Sequence, residues 1–349
     1  MEFGSFMEFH SRQGKTQAEA FAESFAHVDQ AEAQGLDAVW LAESHFQPER
    51  AVLSSPMVVA AAIAGRTHRV KIGTAVQVIP LTNPLRMAEE VATLDHICQG
   101  RLEFGIGRSA VPTSYLGYGI NYAESRDRFF EYLNIMRAAW TQERFSYTGR
   151  FFSYDNVCLT PKPYQQPYPP IRVAATTDDT FPMLGDMGLP IFVGLRQVGL
   201  PQLVGQVAEY RKAYKAAGHP GEIDVSLRVP VYVAENKANA INDPEESFMR
   251  QFRRLGNQLT TSIRQEGSDH LQMRADRGEA LGQIEWPQVI EEKVAVGTPE
   301  MVVDRIHELR EKLSLTSVVA EFNAGERLAP EAISRSLRLF CEKVAPAFK

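Results

Sequence analysis

Short apolar runs alternate along this chain with longer segments whose apolar positions recur every three to four residues. The runs at 2–6, 37–42, 70–78, 102–106, 171–175, 190–194, 225–233 and 316–322 are rich in β-branched and aromatic residues. Hydrophobicity that continues through such a run, without two-residue alternation, marks a strand covered on both faces, as in a parallel sheet. Between them lie helical patterns at 17–34, 54–66, 84–99, 125–140, 178–187, 201–217, 236–255 and 330–344, and a further helix starting at Thr298-Pro299. The clearest unit is 70–106. Asn83 stands as cap with Pro84 at the first helical position, where no N–H is needed. Leu85, Ala88, Val91, Ala92 and Leu94 follow at helical spacing, and Gly100 closes the helix. Strand, helix and returning strand make a crossover, which belongs to a parallel sheet.

Eight strands each followed by a helix predict an α/β chain folded as a (β/α)8 TIM barrel, one domain over residues 1–349. A doubly wound sheet is the alternative, but no G-x-G-x-x-G follows the first strand. Three stretches break the count. Residues 109–124 read as a loop after strand 4, and 145–170, aromatic and proline-rich, as a hairpin excursion. Residues 257–294 are long, charged and weakly periodic, and read as a lid insertion before the last strand. The lid's charges (Arg264, Glu266, Asp269, Arg274, Asp276, Arg277) favour solvation over core packing.

Composition narrows the function. A formal charge of −6 with no basic run leaves no footprint for nucleic acid or an acidic membrane surface. The longest apolar run, 57–64, is too short to span a bilayer. The first ten residues carry acids where a signal peptide needs a basic and then an apolar segment. Cys98, Cys158 and Cys341 form neither a disulfide framework nor a metal spacing, and no H-E-x-x-H occurs. A cytoplasmic protein without a metal is the expectation.

Candidate chemistry gathers at the carboxyl ends of the strands, where barrels bind ligands. Glu43-Ser44-His45-Phe46 follows strand 2, so His45 is the candidate acid, base or hydrogen-bond donor; a surface histidine bonded to a carbonyl is the plain alternative. His10 follows strand 1 and is expected to share the mouth, whereas His27, His96 and His307 lie inside helices and read as structural. Arg108, after strand 4, suits a phosphate, or else a strand-end salt bridge to Glu103 or a loop carboxylate. The turn Ala174-Ala175-Thr176-Thr177-Asp178-Asp179-Thr180 brings hydroxyls and free N–H groups to a helix start, a ready phosphate site. Thr177 as a cap, with two acids complementing the helix dipole, explains the same string. Phe46, Phe104 and Phe192 are either pocket walls or ordinary core.

Read together, MEFGSF at the start, GLDAVWLAESHF, VKIGTAVQVIPLTNPLRMAEEVATLDHICQGRLEFGIGR, the RVAATTDDT turn with GLPIF, and VGTPE resemble the luciferase-like flavin-dependent monooxygenases, above all the bacterial luciferase alpha subunit. The resemblance implies a barrel that takes reduced FMN from a separate flavin reductase and reacts it with O2, through a C4a hydroperoxide, to oxidise a small organic substrate. It assigns the FMN phosphate to Arg108, Thr176, Thr177 and Thr180. The isoalloxazine ring falls to the backbone of Ala75 and Val76, joined by a cis peptide, with Phe192 nearby. The family has Glu-His-His-Phe after strand 2 with the first histidine catalytic. Here that position is Ser44, so the catalytic expectation moves to His45. The family also pairs subunits through the second helix, whose apolar surface (Pro56 to Ile63) predicts a homodimer. A deazaflavin-dependent oxidoreductase on the same fold, or a noncatalytic partner like the luciferase beta subunit, are the rival readings.

Overall fold

In the computed structural model, which describes residues 1–264 and 270–349, eight parallel strands close into a ring. They are β1 (Glu2–Met7), β2 (Ala38–Leu41), β3 (Lys71–Thr74), β4 (Leu102–Gly107), β5 (Ile171–Ala174), β6 (Ile191–Gly194), β7 (Val225–Val233) and β8 (Ser317–Glu321). Each pairs with the next in sequence order, and β8 returns to β1 with Glu2 opposite Ser317, so the barrel has no open edge. The strands are buried along almost their whole length, as continuous hydrophobic runs require. At the amino-terminal end, Arg172 of β5 clamps Asp224 ahead of β7 through two bonds of 2.7 and 2.8 Å. Such a pair at that end serves stability.

The helix after β3 begins as its sequence dictates. Asn83 accepts hydrogen bonds from the N–H groups of Leu85 and Arg86, and Pro84 opens the helix Pro84–Ile97. Its apolar stripe (Met87, Ala88, Val91, Leu94) packs into the layer between barrel and helices, where Phe104 meets Trp140 edge-on at 6.1 Å. Phe104 is therefore core.

Several expectations need correction. The run 70–78 is not one strand. β3 ends at Thr74, the Ala75–Val76 peptide is cis, and Gln77–Val78 resumes beside Ile106 and Gly107 of β4. The break has a packing cause: a side chain on Gly105 would put its Cβ 1.8 Å from the Thr74 carbonyl oxygen, and the Thr74 hydroxyl donates to the Gly105 carbonyl at 2.6 Å. The helix expected over 236–255 is two, Lys237–Asn242 and Glu245–Ser262, parted at Asp243-Pro244 because proline offers no N–H to the preceding turn. The loop 109–124 carries a short helix, Pro112–Gly117. Within 145–170 the expected hairpin forms, Phe145–Thr148 against Ser153–Val157.

Residues 257–294 differ most from expectation. Apart from 265–269, which lie outside the described residues and include Glu266 and Asp269, the segment is largely helical. Glu245–Ser262 runs through Asn257, then come Leu271–Gln283 and Trp286–Glu292. Gly256 and Gly278 let the first two helices touch at backbone distance: a Cβ on Gly256 would stand 2.9 Å from the Gly278 carbonyl oxygen. Arg264 and Asp276 are exposed as expected, but Arg274 and Arg277 are only 4% and 9% exposed. The insertion turns both of these arginines inward, and Lys293 with them.

Candidate active site

Two cavities adjoin at the carboxyl end of the ring and share Val76, Ala174, Thr176 and Gln197 in their walls. The first, about 130 Å³, brings Arg108, Thr176, Thr177 and Thr180 together. Arg108 follows β4 directly and donates from Nη1 to the Ser125 hydroxyl at 3.0 Å. Glu103, its conceivable salt-bridge partner, pairs instead with Lys71 at 3.2 Å. After β5 the chain turns before its helix, Thr180–Asp186, which starts two residues later than the sequence suggests. Thr177 is not its cap. The Thr177 hydroxyl donates to Asp179 at 2.6 Å and shares a 2.7 Å hydrogen bond with the Thr180 hydroxyl.

The two acids of this turn do not oppose an anion. Asp178 accepts from the Gln206 amide at 2.5 Å, and Asp179 pairs with Arg126. Burial pushes the Asp179 carboxyl up, but the hydrogen bonds from Thr177 and Arg126 outweigh it and hold the group below the usual carboxylate range.

Sequence reasoning missed two further cations of this cavity. Arg274 reaches in from the helix Leu271–Gln283, donating to the Ala110 carbonyl at 3.2 Å and the Tyr122 hydroxyl at 2.9 Å. Arg277, one turn later on the same face, donates to the Thr176 carbonyl at 3.2 Å and to Gln197 at 3.3 Å. Its Nη2 is buried without a hydrogen-bond partner, and burial pushes this guanidinium down. Two arginines at i and i+3, followed by a glycine, were the available signal. With Arg126, four guanidiniums line the cavity. Arginine forks, hydroxyls and a buried unused donor fit a phosphate group.

The second cavity, about 170 Å³, lies over the cis Ala75–Val76 peptide and takes in Phe192 of β6, which meets Trp40 edge-on at 4.8 Å. Gly107 leaves room for Val76, since a Cβ there would fall 2.5 Å from the Val76 side chain. A largely apolar slot adjoining a cationic end suits a ring system carrying a phosphate tail.

His45 is buried (7% exposed) but belongs to the lining of neither cavity. Its Nε2 donates to Glu43 at 2.5 Å, and its Nδ1 lies 3.3 Å from the Tyr118 hydroxyl. Burial, with Glu43 adding to it, pushes the Tyr118 phenol up, so that it stays protonated and can donate to Nδ1. Glu43 also accepts from the Gln77 amide and from the Val78 N–H at 2.8 Å. A chain of polar contacts thus links His45 to the residues just past the cis peptide. The Ser44 hydroxyl is buried without a partner. Phe46 is 62% exposed and covers Tyr118 from outside.

His10 does not share this mouth. It lies 3.9 Å from Glu8 and 3.5 Å from Glu326, in a separate cleft of about 550 Å³ between β1 and the helices Gln17–Ala33 and Pro330–Leu339. Those two acids and His10 could converge on a cation, but Arg50 and Arg228 take up Glu8, and Arg250 and Arg254 take up Glu326. His27 bonds the Ser5 hydroxyl at 2.8 Å, and His96 reaches the Lys162 carbonyl. Among the described residues no helix is long and apolar enough to cross a membrane.

Comparison with known proteins gives a consistent result. A family model described as luciferase-like monooxygenase matches residues 1–316. The alkanal monooxygenase alpha chain of Photorhabdus laumondii is 25% identical over 100% of this chain and 98% of its own. The oxygenase component of the flavin-dependent trigonelline monooxygenase of Acinetobacter baylyi is 24% identical, over 84% of this chain and 81% of its own. The crystal structure of monooxygenase RslO1 from Streptomyces bottropensis superposes with a TM-score of 0.80 at 27% identity, covering both chains completely.

Proposed function

The chain belongs to the luciferase-like monooxygenases, and from that premise we propose that it is the oxygenating component of a two-component system. It takes reduced FMN from a separate flavin reductase and uses O2 to oxidise a small organic substrate. One observation carries this reading: Arg108 and the Thr176, Thr177 and Thr180 turn meet Arg274 and Arg277 around one cavity, continuous with the slot over Ala75–Val76. The relative from Acinetobacter, described as an oxygenase component, supports the separate reductase.

Bound in this site, reduced flavin would supply the electrons that activate O2. The residues do the rest. Arg108, Arg274 and Arg277 hold the phosphate through charge-assisted hydrogen bonds, each worth roughly 1.5–3 kcal/mol. The threonine hydroxyls complete the cradle. The Ala75–Val76 backbone and Phe192 support the ring and keep water from it. His45, oriented by Glu43 and Tyr118, holds its Nε2 proton on Glu43, which in turn bonds Gln77 and Val78 just past the Ala75–Val76 peptide.

Spectral titration with FMN and with a deazaflavin tests the assignment, because both offer a phosphate to the same cradle. Saturable FMN binding, with reductase-dependent O2 uptake that rises with substrate, is the expected result. Selective deazaflavin binding would make the chain a deazaflavin-dependent oxidoreductase.

A further inference from the structure

A half-buried cation stands without an ion-pair partner just past β6. Arg196 lines the slot with Ala75, Val76 and Phe192. Its Nε is buried and has no hydrogen-bond partner, and among the described residues it forms no ion pair. Its neighbours are already committed. Arg228 grips Glu321 at 2.9 and 3.0 Å and lies 3.3 Å from the centre of the Phe6 ring. Arg50 holds Glu8 at 3.0 Å, and Gln251 occupies Glu321 at 2.6 Å. Arg250 and Arg254 both hold Glu326. The two carboxylates that act on Arg196, Glu321 and Glu8, are thus already taken up by Arg228 and Arg50. Burial, reinforced by the like charge of Arg228, pushes Arg196 down to about 9, which leaves it charged at neutral pH.

A guanidinium N–H that has lost water and gained no acceptor is poorly solvated until an acceptor arrives. We infer that Arg196 receives an oxyanion of the substrate, so that the substrate class is organic acids, bound as carboxylates. This rests on the reading of the slot as a flavin monooxygenase site. The charges around Arg196 come from β7, β8 and the loops after β1 and β2, and β8 lies opposite β4, which Arg108 follows. The phosphate cradle thus occupies one side of the ring and the unpaired cation faces the side left for a second molecule. Planar forked donors match a carboxylate in paired fashion.

The test measures dissociation constants of benzoate, phenylacetate and hexanoate, each beside its neutral amide, on the protein with and without bound FMN. The acids should bind about tenfold more tightly than the amides or better, with the difference shrinking at high salt. Arg196→Met should abolish that preference, leave FMN affinity unchanged and leave Tm undiminished, since no ion pair is lost. Arg196→Lys should retain part of it. Acids that bind no better than their amides would overturn the inference. So would an Arg196→Met variant that keeps the acid preference and instead binds reduced FMN more weakly, because the charge would then serve the flavin ring. If FMN itself fails to bind, the cofactor reading falls, while the acid preference of the unloaded protein still decides this inference.

Discussion

Arg277 donates from Nη1 to the carbonyl oxygen of Thr176 at 3.2 Å, tying the helix Leu271–Gln283 to the turn after β5. Through this bond the insertion between β7 and β8 closes one wall of the phosphate cradle, while Nη2 of the same side chain stays unused. The insertion is in this sense part of the site.

Arg277→Ala should therefore weaken FMN binding by roughly 1.5–3 kcal/mol and leave the insertion less firmly docked. Arg274→Ala should lose a comparable amount, because it also frees the contacts to Ala110 and Tyr122. Titration of flavin absorbance gives the affinities, and hydrogen exchange of the helix Leu271–Gln283, with and without FMN, reads the docking. Unchanged affinity together with unchanged exchange would separate the insertion from the cofactor.

His45→Ala should lower substrate-coupled turnover about 10²-fold or more, the usual scale of a lost acid–base group, and leave FMN affinity nearly intact. Ser44→Ala should cost less, since the Ser44 hydroxyl bonds nothing. The comparison is of coupled product against peroxide released. A Ser44 variant more damaged than the His45 variant would transfer the role to the hydroxyl.

Local signals were legible in the chain. Asn83 and Pro84 are read without knowing the fold, because the cap bonds lie within three residues. Arg108 and the threonine turn were legible because barrel topology brings the ends of β4 and β5 side by side. The break after Thr74 was not, since its cause is Gly105, on another strand. Arg274 and Arg277 were hidden by a sound rule: charges on a helix usually face water. Only the close crossing at Gly256 and Gly278 turns their face to the barrel. The helix after β5 starts late because the Thr177 hydroxyl is held by Asp179 and Thr180 and leaves the helix end uncapped.

Stability should fall on mild acidification. Burial, reinforced by the neighbouring His10, pushes the His27 imidazole down to about 4. The unfolded chain therefore takes up a proton near pH 6.5 that the folded state refuses, and stability declines as pH drops from about 6.5 towards 4. The loss at pH 5 should be about 2 kcal/mol. Urea unfolding at pH 7 and pH 5 measures it, and His27→Gln should reduce the difference. An equal pH dependence in that variant would assign the loss elsewhere.

The homodimer expected from the apolar second helix is tested at the position that the structure leaves exposed. Val59 and Ile63 point into the core at 6% and 0% exposure, so charges there would report on folding. Val58 on the same helix, Pro56–Ala64, is 69% exposed. Light scattering should give twice the chain mass for the parent and a shift towards monomer for Val58→Glu. A monomeric parent at micromolar concentration would refute the dimer.

The central claim is that a phosphate is held between Arg108, the threonine turn and the inward arginines, and FMN differs from riboflavin only by that phosphate. Titrating both into the parent and into Arg108→Ala therefore tests it most directly. The parent should bind FMN at least about tenfold more tightly than riboflavin, and Arg108→Ala should remove most of that difference while barely changing riboflavin affinity. Equal affinity of the parent for FMN and riboflavin, or an Arg108→Ala variant that keeps the full preference for FMN, would contradict it.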